Sequence, residues 1–73
     1  MAQRKIKVAI TERALIQRLN RALKKDDEQL IYLRTRRVYA IKEIRRAIIL
    51  HMDVDLIDLG RKLKVLQPWE VVE

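Results

Sequence analysis

The stretch Arg34-Thr-Arg-Arg-Val-Tyr-Ala-Ile-Lys-Glu-Ile-Arg-Arg-Ala-Ile-Ile-Leu-His-Met52 sets two apolar runs, Val38 to Ile41 and Ala47 to Leu50, among five arginines and one lysine. As a helix it is one rod with Val38, Ile41, Ile44 and Ile48 along a seam. As a hairpin it is two short strands joined by a basic turn. Val38, Tyr39 and Ile41 favour extended structure, because β-branched and aromatic side chains pack well on a pleated surface. The connection Lys42-Glu-Ile-Arg-Arg46 weighs against a hairpin, since it has no Gly, Asn, Asp or Pro to relieve a tight turn. Local propensity is close to a draw, and the flanking segments decide.

Downstream, Asp53 is placed to cap a helix over residues 54–65, with Asp55 and Asp58 early and Arg61, Lys62 and Lys64 late, as the helix dipole prefers. A helix that starts there ends whatever precedes it, which counts against a rod running on through His51. Leu56, Ile57, Leu59, Gly60 and Leu63 form its expected buried face. Gly60 costs up to ~1 kcal/mol inside a helix, and close approach of another backbone is the expected compensation. Pro68 blocks further helix, and Trp69, Val71 and Val72 are expected to fold back over the core.

Upstream, Leu15, Ile16, Leu19, Ala22 and Leu23 fall within an arc of roughly 120° at helical spacing, which predicts a helix near residues 12–25. Thr11 is its N-cap and Glu12 stands in its first turn. Arg13, Gln17, Asn20, Arg21 and Lys24 fill the opposite side, and Arg13, Gln17, Asn20 and Lys24 form a stripe of donors suited to phosphates or base edges. The same stripe also suits any solvated helix. Asp26-Asp27 supply turn chemistry. Glu28 to Thr35 fits either a strand or a helix seam. Lys5 to Ile10 alternates with Ile6, Val8 and Ile10 on one side, the pattern of a half-buried strand, although a basic arm has similar composition.

Three segments together resemble a group of short proteobacterial proteins of unknown function. They are Arg13-Ala-Leu-Ile-Gln-Arg-Leu-Asn-Arg-Ala-Leu23, Val38-Tyr-Ala-Ile41, and His51-Met-Asp-Val-Asp-Leu-Ile-Asp-Leu-Gly-Arg-Lys-Leu-Lys-Val-Leu-Gln-Pro-Trp-Glu70. The resemblance spans residues 12 to 72. It implies that the two apolar runs are strands joined by a polar turn, and loosely implies occurrence on mobile elements. Lys42 to Arg46 departs from the asparagine-containing turn of that group.

The expected fold is therefore α+β: an N-terminal strand, a helix near 12–25, an antiparallel sheet of two to four strands within 29–52, a second helix near 54–65 and a Trp-anchored tail. An all-α bundle with a long central helix is the competing reading. Seventy-three residues make one small domain, and a chain of that size buries only roughly 60% of its unfolded surface, so a partner would add stability. With 49% apolar residues it has enough to build a core. The longest apolar run, Ala47 to Leu50, is far short of the ~20 residues of a membrane span, and the cytoplasm is the expected setting.

Catalytic equipment is sparse. The chain has no cysteine, no serine and one histidine, so hydroxyl nucleophiles reduce to Thr11 and Thr35, read as a cap and a strand residue. His51 with Asp53 makes a poor metal set, and packing or support of the cap is its expected role. Asp53, Asp55 and Asp58 have capping roles, and Gly60 is the only glycine, which leaves no phosphate-cradling loop. No enzyme, cofactor or metal is expected.

Charge points elsewhere. The net charge is +7, with 14 Lys/Arg against 5 Asp/Glu in residues 1–52 and 3 against 5 in residues 53–73. Such asymmetry suits a face directed at phosphates. The expected function is a DNA- or RNA-binding accessory or regulatory protein. Arg34, Arg36, Arg37, Lys42, Arg45 and Arg46 are the main contacts, and Arg13, Arg21 and Lys24 assist from the first helix. In a hairpin, Arg45 and Arg46 form the tip of a basic finger. Tyr32 or Tyr39 stacks on a base if exposed, with burial in the sheet the competing fate. The second function class is an inhibitor or small subunit docking on an acidic protein surface, with homodimerisation through a strand edge a further option.

Overall fold

The central stretch folds as strands. The computed structural model describes residues 7–73. Its elements run β1 (Val8–Ile10), α1 (Glu12–Leu23), β2 (Glu28–Leu33), β3 (Val38–Glu43), β4 (Ile48–His51), α2 (Leu56–Lys62) and β5 (Glu70–Val72). Strands β2, β3 and β4 form an antiparallel meander with β3 in the middle, and β1 pairs with β5 in a separate parallel pair. The α+β expectation holds, and the long central rod does not form. The expected N-terminal strand is present at Val8–Ile10, while Lys5 and Ile6 lie outside the described residues.

The missing turn residues are replaced by strain. Arg34–Arg37 and Ile44–Ala47 are both turns, and each ends on a non-glycine residue in the left-handed region, Arg37 at φ 56 and Ala47 at φ 55. That region costs an L-residue roughly 1–2 kcal/mol, so strand pairing on both sides must outweigh it. Thr35 sits in the first of these turns rather than in a strand. The Leu33 carbonyl accepts from the N–H groups of Arg36 (3.2 Å) and Arg37 (2.7 Å), which closes that turn. The Ile44 N–H donates to the Asp27 carbonyl at 2.8 Å and ties the second turn to the end of the first helix.

Helix α1 follows its sequence closely. The Thr11 hydroxyl accepts from the Ala14 N–H at 3.0 Å, and Leu15, Leu19 and Leu23 are buried. These three meet Ile10, Leu30, Ile41 and Leu66 in one cluster between helix and sheet. After a single 3-10 turn, Lys24–Asp26, Asp27 turns left-handed (φ 60) and β2 begins.

Helix α2 is shorter than expected and starts later. Asp55, not Asp53, is the N-cap, accepting from the N–H groups of Ile57 (3.0 Å) and Asp58 (3.1 Å). The Val54 N–H is already given to the Tyr39 carbonyl at 2.8 Å, so residue 54 still belongs to the sheet, and Asp53 (φ 55) makes the bend after β4. At the other end Lys64 (φ 59) donates to the Arg61 carbonyl and Val65 donates to the Gly60 carbonyl, the pair of bonds that closes a Schellman motif. The helix therefore ends at Lys62 rather than Val65. Its inner face is narrower than the pattern suggested: Leu56 and Leu59 pack on the core, while Ile57 and Leu63 are exposed. Gly60 admits side chains, not a backbone, because a Cβ there would stand 3.0 Å from the Leu66 Cβ and 3.1 Å from the Leu15 Cδ1.

The tail is anchored by a carboxylate instead of the indole. Strand alternation turns Trp69 and Val71 outward, Trp69 being 54% exposed, and turns Glu70 and Val72 inward. The Arg18 Nη1 donates to Glu70 Oε1 (2.8 Å) and Oε2 (2.9 Å) and approaches the Val65 carbonyl at 3.0 Å. The Gln67 N–H adds a fourth contact, to Oε1, at 2.8 Å. Hydrogen bonds from Arg18 and then from the Gln67 backbone hold the Glu70 carboxyl below its ordinary 4.5.

Two outcomes follow for stability. Ala47→Gly removes left-handed strain and is expected to stabilise by about 1 kcal/mol net of glycine's unfolded-state entropy, roughly 4–8 °C in melting temperature for a domain of this size. A lower melting temperature would show that Ala47 is not left-handed. A carboxyl that titrates lower when folded contributes stability at pH above its unfolded value of 4.5, and that contribution is lost as pH falls through the folded value. Glu70→Gln is therefore expected to lower the melting temperature most at neutral pH, with the gap from wild type closing below pH 4.5. A constant gap across pH would assign the loss to shape rather than charge.

Candidate nucleic-acid interface

The basic residues fall into three groups, set by the meander. Adjacent antiparallel strands place successive turns at opposite ends of the sheet, so Arg34, Arg36 and Arg37 stand at one end and Arg45 and Arg46 at the other. Six residues of β3 separate them, on the order of 20 Å. Lys42 lies between, half-buried, opposite Gln29 on β2 and Ile49 on β4. The third group, Arg13, Arg21 and Lys24, is exposed on α1 and the 3-10 turn. Arg45 and Arg46 stand in the β3–β4 turn, the tip of the expected hairpin, and Arg34, Arg36 and Arg37 make a second basic turn at the other end.

The two turns differ in their neighbours. Arg45 Nε lies 2.9 Å from Asp27 Oδ2, and Arg46 Nε lies 3.3 Å from Glu43 Oε1. Both arginines are largely exposed, so the pairs add little stability, yet each places a carboxylate beside the cation. Among the described residues, Arg34, Arg36 and Arg37 pair with no carboxylate. Their charge faces water alone.

An aromatic pair stands next to that first turn. Tyr32 and Tyr39 are cross-strand partners two residues from the turn side, with ring centroids 5.0 Å apart at 56°. Tyr39 packs on the core and donates its hydroxyl to Glu12 Oε1 at 2.9 Å; burial, then that bond, raises its pKa above the ordinary 10.0. This bond brings the first turn of α1, which carries Arg13, to the same end of the sheet. Tyr32 is 50% exposed, so it is not buried in the sheet as the competing reading had it, whereas Tyr39 is half-buried.

The polar stripe on α1 is incomplete. Asn20 Oδ1 accepts from the Leu30 N–H at 2.8 Å, so this side chain pins the start of β2 and is not a free donor. Arg18 is likewise spent on Glu70. Neither role was read from the sequence, although Arg18 sits on the flank of the apolar arc beside Ala22, the place from which a long side chain can reach a neighbouring element. Arg21 and Lys25 instead border a shallow hollow of about 390 Å³ that Arg18, Ala22 and Val65 complete.

Opposite charge gathers around α2. Asp26, Glu28, His51, Asp53, Asp55, Asp58 and Lys62 rim a cleft of about 450 Å³ floored by apolar side chains including Leu23, Ile41 and Leu59. His51 is exposed there, opposite Ile41, and supports no cap. Among the described residues no histidine and carboxylate group has the geometry of a metal site, and no helix is long and apolar enough to cross a membrane. No family profile, curated protein or solved structure matches this chain.

Proposed function

We propose that this protein is a nucleic-acid-binding accessory or regulatory protein of the cytoplasm. Its phosphate contacts centre on Arg34, Arg36 and Arg37. The observation that carries this reading is the contrast between the two turns: three exposed arginines in no ion pair among the described residues at one end, with the nearby Glu12 carboxylate taken by the Tyr39 hydroxyl, and two arginines paired with Asp27 and Glu43 at the other. Guanidinium groups fit phosphate oxygens in a planar fork, and three on one short turn match a run of backbone phosphates better than a single deep site. Half-exposed Tyr32 offers a face on which a base can stack, and Arg13 extends the positive surface along α1. Arg21, Lys24 and Lys42 are peripheral in this arrangement. Arg45 and Arg46 contribute less than their number suggests.

Binding of this kind releases counterions and weakens as salt rises, with a log–log slope of roughly −0.9 per phosphate neutralised on duplex DNA. Gel shifts on random duplex DNA, single-stranded DNA and RNA, titrated with salt, measure it directly. Replacing Arg34, Arg36 and Arg37 together with alanine is expected to flatten the slope on the preferred nucleic acid by up to about 2.7, one step of 0.9 for each arginine. Replacing Arg45 and Arg46 is expected to change it by less. Equal losses from both variants would spread the interface over the whole basic surface, and absence of binding at low salt would remove the reading in favour of an acidic protein partner.

A further inference from the structure

Strand β4 is an open edge of the sheet, four residues long, with an irregularity in its ladder where Ile41 and Lys42 pair with His51 and Ile49. All four of its residues are exposed, and it pairs on one side only, with β3. It carries no lysine, arginine, proline or acid, the residues that usually blunt an open edge. The other edge is managed differently: α1 packs along β2, and Asn20 occupies the Leu30 N–H. Around β4 a patch of large apolar side chains faces water: Ile44 (43% exposed), Ile48 (43%), Ile49 (41%), Leu50 (38%) and Met52 (44%).

We propose that two copies of this chain join antiparallel along β4, about a twofold axis, to make one six-stranded sheet. Area is the first argument. The five residues expose on the order of 400 Å² in all, spread along the edge and over both faces of the strand, and pairing covers the share at the edge. Covering it on both copies, together with the backbone edges and a polar rim, approaches the ~1,200 Å² of the smallest specific interfaces.

Charge is the second. A chain of net charge +7 repels its own copies over most of its surface, but β4 itself is uncharged apart from the titratable His51. Antiparallel pairing sets the start of each β4 against the end of the other. The Arg45-Arg46 turn that leads into β4 then lies beside the partner's Asp53 and the partner's Asp55, just past the end of that strand. Positive meets negative twice by symmetry, once at each end of the new ladder. The pairing also assigns the two arginine turns to different work, Arg45 and Arg46 to assembly and Arg34, Arg36 and Arg37 to ligand, without depending on what that ligand is.

Sedimentation of the 73-residue chain in the absence of nucleic acid tests the assembly by itself. At about 100 µM the wild type is expected to sediment at twice the 8.8 kDa chain mass and to dissociate on dilution. Ile48→Lys places an ammonium across from Glu43, a favourable pair within one copy that blocks the edge, and is expected to sediment as a monomer with an unchanged circular dichroism spectrum. A monomeric wild type, or a folded Ile48→Lys variant that still dimerises as well as wild type, would overturn the proposal. Should that variant unfold, the native absence of cysteine allows a second reading. Ile49→Cys is expected to form a disulfide-linked pair on diamide oxidation, whereas Gln29→Cys on β2 is not, and equal crosslinking at both positions or none at Ile49 would refute pairing through β4. Loss of nucleic-acid binding in the salt titration would leave every one of these results standing.

Discussion

A single charged contact closes the molecule. The first and last strands of the described residues form one parallel pair, which is held to the rest by Ile10 and Val72 packing on the core and by Arg18 reaching from α1 to Glu70 in β5. The carboxylate is 8% exposed, and leaving it there without a partner would be costly, so the guanidinium and the Gln67 N–H are conditions for the tail to dock. The same Arg18 nitrogen approaches the Val65 carbonyl, just past the end of α2. One side chain thereby joins the helix, the loop after the second helix and the closing strand, and the small sheet of β1 and β5 exists because those pieces are held together.

The rest of the architecture is a response to having one glycine. Among the described residues five non-glycine positions, Asp27, Arg37, Ala47, Asp53 and Lys64, adopt left-handed backbone, and each marks the end of an element: the 3-10 turn, the two sheet turns, β4 and α2. Aspartate tolerates that region better than most residues, whereas arginine, alanine and lysine do not. The only glycine is placed where no side chain fits, at the crossing of α2 with Leu15 and Leu66. Sharp endings are therefore achieved by strain, and the cooperative packing around Leu15 and Leu19 sustains them.

This explains which parts of the fold could be read from the sequence. Helix α1 was legible because its apolar arc, its cap and its dipole all agree, whereas composition left the central strands close to a draw with a helix and only the expected helix start downstream and the resemblance tipped them. The turns were not, since the cue for a turn is residue type and here backbone strain substitutes for it. The start of α2 was misplaced because Asp53, Asp55 and Asp58 are all credible caps, and the choice is made by a distant bond from Val54 to Tyr39. Trp69 misled by size, for a large apolar side chain is expected inside, while the strand alternation that places Glu70 inside is visible only once Arg18 is known to face it. For the candidate site, the identities of the basic residues were legible, but their division between two ends of the sheet depends on the strand order, and the carboxylates beside Arg45 and Arg46 depend on turn geometry.

That division changes what net charge means for this protein. A value of +7 spread evenly would describe a generally sticky surface. Here the carboxylates Asp53, Asp55 and Asp58 gather around α2, Asp27 and Glu43 pair with the second turn, and among the described residues the arginines of the first turn are in no ion pair. The arginines in no ion pair therefore stand at the end of the sheet where half-exposed Tyr32 also lies, while β4 itself carries no lysine, arginine or acid. Charge on this surface is thus sorted by strand order and turn geometry: a net value describes the repulsion between whole molecules, while the pairing of each arginine decides which cations remain free to act on anything else.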